Sequence, residues 1–156
     1  MPEPMPTDDN RQGTLLIVRI IWLALLVGQI GFGAVVYYQV RVGQAGDQVQ
    51  LSGQMLAIAS GILIGAIGLG YYARNQSYKK HWRGSVVTPA GFFQGNLILL
   101  ALLEVSSFVT LVFVMVTGQV FPMILPAVAS LAVQCVNYPS GLPMLEAPPD
   151  FPKSLS

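Results

Sequence analysis

Four long apolar runs, at residues 20–40, 55–72, 97–117 and 120–136, constrain this chain more than any other feature. A helix rises about 1.5 Å per residue, so roughly 17 to 25 apolar residues cross the hydrocarbon layer of a bilayer. A soluble domain of 156 residues has no aqueous core large enough to hide such runs, and only 10% of the residues are charged where about 25% is usual. With 53% hydrophobic residues and a mean hydropathy of +0.60, the sequence predicts an all-α integral membrane protein, a four-helix bundle of two antiparallel hairpins. The fourth run is the shortest and carries Pro122 and Pro126 near its start, where a missing N–H costs least. A re-entrant segment is the other form such a run takes.

Lysine and arginine set the orientation, because short cytoplasmic loops retain them. With the amino terminus inside, Arg11, Arg19, Arg74, Lys79, Lys80, Arg83 and Lys153 fall on the cytoplasmic side and only Arg41 is translocated. Both termini are therefore expected to be cytoplasmic, with residues 41–54 and 118–119 on the far side. Residues 1–13 read as a flexible tail, 14–138 as the membrane domain and 139–156 as a Pro-rich, extended tail. Trp22, Tyr71, Tyr72, Phe92, Phe93 and Tyr138 would lie toward the cytoplasmic interface, and Tyr37, Tyr38 and Phe121 toward the other, as interfacial anchors.

The second run holds Gly53, Ala57, Gly61 and Gly65 at four-residue spacing, a nearly bare helix face that permits close approach by a neighbouring helix. Ala24, Gly28 and Gly31 form a shorter version on the first helix. The glycines between residues 65 and 70 do not make a nucleotide loop, which has to follow a strand and open a helix. Single Cys135 and single His81 leave no disulfide, no structural zinc set and no nucleophile–base pair. His81 is expected to be a solvated residue of the basic loop formed by Arg74, Lys79, Lys80 and Arg83, and Cys135 a small lipid- or helix-facing residue.

Glu104 is the one charge inside the third run. A carboxylate at membrane depth costs several kcal/mol unless it is protonated, paired or facing a wet cavity. Ser107 lies three residues on, on the same face, and is the expected hydrogen-bond donor. Counting rise from the cytoplasmic ends sets Gln29, Gly65 and Ser130 at a similar depth. Desolvation and the lack of a nearby cation in sequence predict a protonated side chain at neutral pH.

The stretch Ala73-Arg74-Asn75-Gln76, the preceding glycines Gly61, Gly65, Gly68 and Gly70, and the later Ala101-Leu102-Leu103-Glu104-Val105 and Phe113-Val114-Met115-Val116 resemble the hairpin of ATP synthase subunit c. That resemblance implies a glycine helix, Arg74 as the loop arginine and Glu104 as a proton carrier. The chain departs from the pattern in its long loop after Arg74, in Gln76 where the family has proline, and in two flanking helices. Residues 78–138, with a basic stretch, Ala-Leu-Leu-Glu, the turn Thr117-Gly118-Gln119 and a short last helix ending Asn137-Tyr138-Pro139, are similar to small uncharacterised four-helix proteins of bacterial inner membranes. That second resemblance implies a multi-pass protein of the plasma membrane and supplies no activity.

The expectation is a protein without enzymatic activity, an accessory or assembly subunit of a membrane complex or a homo-oligomer, in which Glu104 is a buried protonated helix-packing anchor. The competing expectation is proton translocation, by a channel, carrier or proteolipid, through Glu104, with Ser107 and Gln29 beside it. Neither reading requires a cofactor, a metal, a nucleic acid or a soluble substrate. The partners they imply are the lipid bilayer and other membrane subunits or copies of the chain.

Overall fold

The computed structural model describes residues 8–43, 52–83 and 86–145. The chain runs α1 (Asp8–Arg41), α2 (Ser52–Lys80), β1 (Trp82–Arg83), β2 (Val86–Val87), α3 (Pro89–Thr117), α4 (Leu125–Val136) and the single turn α5 (Leu142–Leu145). Three helices, α1, α2 and α3, are long and apolar enough to cross a membrane. α4 is not: its 12 residues rise about 18 Å, against a hydrocarbon layer of about 30 Å. The first part of the fourth apolar run is spent on a turn at residues 121–124, with a cis peptide between Phe121 and Pro122, before the helix begins.

The helices also outrun the apolar segments that announced them. No glycine or proline interrupts residues 71–83, so α2 continues through the expected basic loop as far as Lys80, and Arg74, Lys79 and Lys80 are helical. α3 begins eight residues before its apolar run, where the Thr88 hydroxyl accepts from Gly91 N–H and Pro89 occupies the first turn. It ends at Gly118, whose φ of 67° is the left-handed conformation that favours glycine. Residues 8–13, expected within a flexible tail, open α1; the rest of that tail, most of the 41–54 loop and residues 146–156 lie outside the described residues. A two-residue antiparallel ladder, Trp82 with Val87 and Arg83 with Val86, joins α2 to α3.

α3 is the central element, packed by α2, α1 and α4. Three apolar clusters run along it. Phe92 joins Val18, Tyr78, Val87 and Met144 at one end; Leu99 and Leu103 meet Leu63 midway; Leu111 and Val114 meet Val36, Met123 and Ala127 at the other end. Met144 belongs to α5, so the start of the segment expected as an extended tail is folded against the bundle. Outside these clusters the usual burial pattern is reversed. Leu16, Ile20, Leu23, Ile64, Leu69, Val105 and Val136 are exposed, while Gln29, Glu104, Ser107, Thr110, Ser130 and Gln134 are buried. An aqueous domain places these residue types the other way round.

Candidate functional site

Glu104 sits on the side of α3 that faces α4, and its partner is Gln134, not Ser107. The Gln134 side-chain N–H donates to Glu104 Oε2 at 3.4 Å. One turn earlier on α4, the Ser130 hydroxyl donates to the Leu103 carbonyl at 2.8 Å. These two bonds stitch a helix too short to cross a bilayer onto one long enough to do so. Ser107 Oγ is buried without a hydrogen-bond partner, as is Ser106 Oγ. The three-residue spacing had put Ser107 on the right face, but the long glutamate side chain reaches across to α4 instead.

Gln29 is buried, and neither its Oε1 nor its Nε2 has a partner. Val18, Gln29 and Val36 are separated by about three and two helical turns and share one face of α1. Val18 packs with Phe92 and Val36 with Leu111 and Val114, so the register sets Gln29 opposite the stretch of α3 that carries Glu104 and Ser107. On α4 it falls between Gln134, whose carbonyl accepts from Trp22, and Ala127, which packs with Val36. Ser130, expected at the Glu104 level from sequence depth, bonds the carbonyl of the preceding residue; Gln29 comes to that level by helix register alone, and Gln134 was missed. The missing signal was Gln134 itself, an amide four residues after Ser130 on the same face of an otherwise apolar run.

The carboxyl end of α4 is held by donors from two other helices. Trp22 Nε1 donates to the Gln134 carbonyl at 2.9 Å, Arg19 Nε to the Pro139 carbonyl at 3.2 Å, and Arg74 Nη1 to Asn137 Oδ1 at 2.9 Å. Asn137 Nδ2 in turn donates to the Tyr71 hydroxyl at 2.6 Å, and the Arg74 guanidinium lies over the Tyr71 ring, 4.7 Å from its centroid. The last carbonyls of a helix lack internal partners and carry partial negative charge, so N–H donors and cations are favourable there. Of the aromatics expected as interfacial anchors, Phe92 is buried and Trp22 and Tyr71 are half-buried; Trp22 makes an edge-to-face contact with Tyr138 at 5.2 Å.

The small-residue face of α2 points outward. A Cβ added at Gly53, Gly61 or Gly65 would have no neighbour within 4 Å, and Ala57 is exposed. Close approach between α2 and α3 occurs elsewhere, at Gly70 against Leu99 and at Gly95 against Tyr78 and Arg74. Of the basic segment, Lys79, Lys80 and Arg83 are exposed and Arg74 is half-buried in the α4 network. His81 is half-buried rather than solvated, with Nδ1 2.9 Å from the Ser77 carbonyl, and Cys135 is exposed. Among the described residues no group of three or more His, Cys, Asp or Glu is placed to hold a metal ion. No protein-family model matches the chain, and no curated protein or solved structure matches it significantly.

Proposed function

We propose that the chain is a non-enzymatic multi-pass membrane protein, an accessory or assembly subunit of a membrane complex or a homo-oligomer, in which Glu104 is a protonated anchor between helices. In this reading α1, α2 and α3 span the membrane, and α4 completes a second antiparallel hairpin. The basic end of the bundle, with Arg19, Arg74, Lys79, Lys80 and Arg83, then lies in the cytoplasm with both termini, following the positive-inside rule. A bacterial inner membrane is the location that the resemblance to small four-helix proteins implies.

The observation that carries the anchor reading is the Glu104–Gln134 pair. Gln134 Nε2 is spent on Glu104, while Gln134 Oε1 is buried with no donor. A carboxylate has no proton to offer that oxygen. A carboxylic acid does, and an acid facing a primary amide satisfies both groups reciprocally, one N–H···O and one O–H···O bond. Buried polar atoms left unpaired are costly, which favours the protonated form. The outward small-residue face of α2 supports a role in assembly, since close helix approach in lipid uses such faces.

Proton transport through Glu104 is the second reading, favoured by the unpartnered Gln29 amide and Ser107 hydroxyl at the same level, a layer polar enough to hold water. Reconstituted vesicles separate the two. The anchor reading expects wild type to pass protons no faster than empty vesicles. It also expects Glu104→Gln to melt near wild type in detergent and Glu104→Leu to lose roughly 1 kcal/mol, as for interhelical polar bonds in membranes. Proton flux in wild type that Glu104→Gln abolishes without loss of stability would establish transport instead.

A further inference from the structure

A groove of about 440 Å3 runs between α2 and α3 at the basic end of the bundle. Its α2 side is a ladder of residues one turn apart, Tyr72, Gln76 and Lys80, with Ala73 beside it; its α3 side is Gln94 and, one turn deeper, Ile98. The Gln76 amide N–H donates to the Tyr72 hydroxyl at 3.1 Å, fixing the middle of the ladder. Neither Asp9 nor Glu104, the acids whose side chains are described, lines the groove. The groove thus grades from a cation and two amides at its outer end, past Ser77, whose hydroxyl is spent on the Gly91 carbonyl, to Ala73, Ile98 and the Tyr72 ring further along both helices.

We propose that this groove is a binding site for one anionic phospholipid, with the phosphodiester at Lys80, Gln76 and Gln94 and the start of an acyl chain alongside Ala73 and Ile98. The proposal rests on the membrane reading given above. Three features favour a lipid over any other occupant. Among the described residues that line it the one charge is the Lys80 ammonium, matching a headgroup phosphate. Its volume is that of a small-molecule site and not of a protein interface. Its polar-to-apolar gradient follows the helix axes, the direction in which a lipid in the same leaflet lies. Lys80 is also the last residue of α2, so its ammonium stands at the end of the helix where headgroups are met, while Ile98 is two residues into the third apolar run.

Lys79 supplies an internal control. It is exposed, adjacent in sequence and equally charged, yet it does not line the groove. Native mass spectrometry of the full chain, equilibrated in mild detergent with equimolar phosphatidylglycerol and phosphatidylcholine of identical acyl chains, reads the preference directly. Wild type is expected to retain phosphatidylglycerol selectively, Lys80→Gln to reduce that selectivity about fivefold, the effect of one basic residue near a lipid surface, and Lys79→Gln to leave it unchanged. Equal losses in the two variants mean diffuse surface attraction and overturn the groove. So does displacement of the lipid by millimolar inorganic phosphate, which identifies a free-anion site. Protein that washes off membranes at alkaline pH overturns the membrane reading and this site together; protein that stays but shows no selectivity overturns the site alone.

Discussion

Gly70 and Gly65 show how one residue type does opposite work on one helix. A Cβ at Gly70 would stand 2.6 Å from Leu99 Cδ1 and 3.5 Å from Leu99 Cα, whereas a Cβ at Gly65 meets nothing within 4 Å. Gly70→Ala is therefore expected to cost about 1–3 kcal/mol by overpacking the α2–α3 contact, and Gly65→Ala to leave the single chain as stable or up to about 1 kcal/mol more stable. Thermal melting in detergent checks both. A Gly65→Ala loss as large as that of Gly70→Ala would mean that the outward face of α2 is covered in the native assembly. Four-residue spacing singled out the face that carries Gly65, and Gly70 lies off that face. Which of them touches α3 depends on helix rotation, and four-residue periodicity carries no information about that.

α4 shows at the level of the element what can and cannot be read from an apolar run. Its apolarity was plain, and Ser130 was correctly assigned to the depth of Glu104, for it bonds the carbonyl one residue before. Its length was not, because Pro122 and Pro126 are compatible both with the first turn of a helix and with the turn that precedes it. Likewise α2 and α3 extend beyond their apolar runs, since a helix boundary follows caps and breakers more than hydropathy; for α3 the Thr88-Pro89 pair was the legible signal. What holds a helix as short as α4 is its docking, and Asn137 is the hub at its end, joining Arg74 and Tyr71. Asn137→Leu leaves the half-buried Arg74 guanidinium without its oxygen acceptor. It is expected to cost about 1–3 kcal/mol and to raise hydrogen exchange in α4 before the rest of the bundle. Uniform exchange across all helices would contradict the hub.

At the scale of the whole molecule, the described residues outside the three apolar clusters are inverted relative to an aqueous domain, with leucines and isoleucines exposed and a carboxyl, amides and hydroxyls buried. Composition made the helical, apolar class legible, and the lone acid in the third run is a buried residue bonded to Gln134. Its partner was not legible, because the pairing of Glu104 with Gln134 is fixed by how α3 and α4 slide past each other. The same pairing gives the central claim its sharpest test. Of the chain's seven acidic side chains, only Glu104 lies inside an apolar run. Infrared spectra of the protein in lipid at pH 7 should therefore contain one protonated-carboxyl carbonyl band, persisting through neutral pH and absent from Glu104→Gln. A wild-type spectrum with only ionised carboxylate bands would contradict a protonated Glu104 anchor.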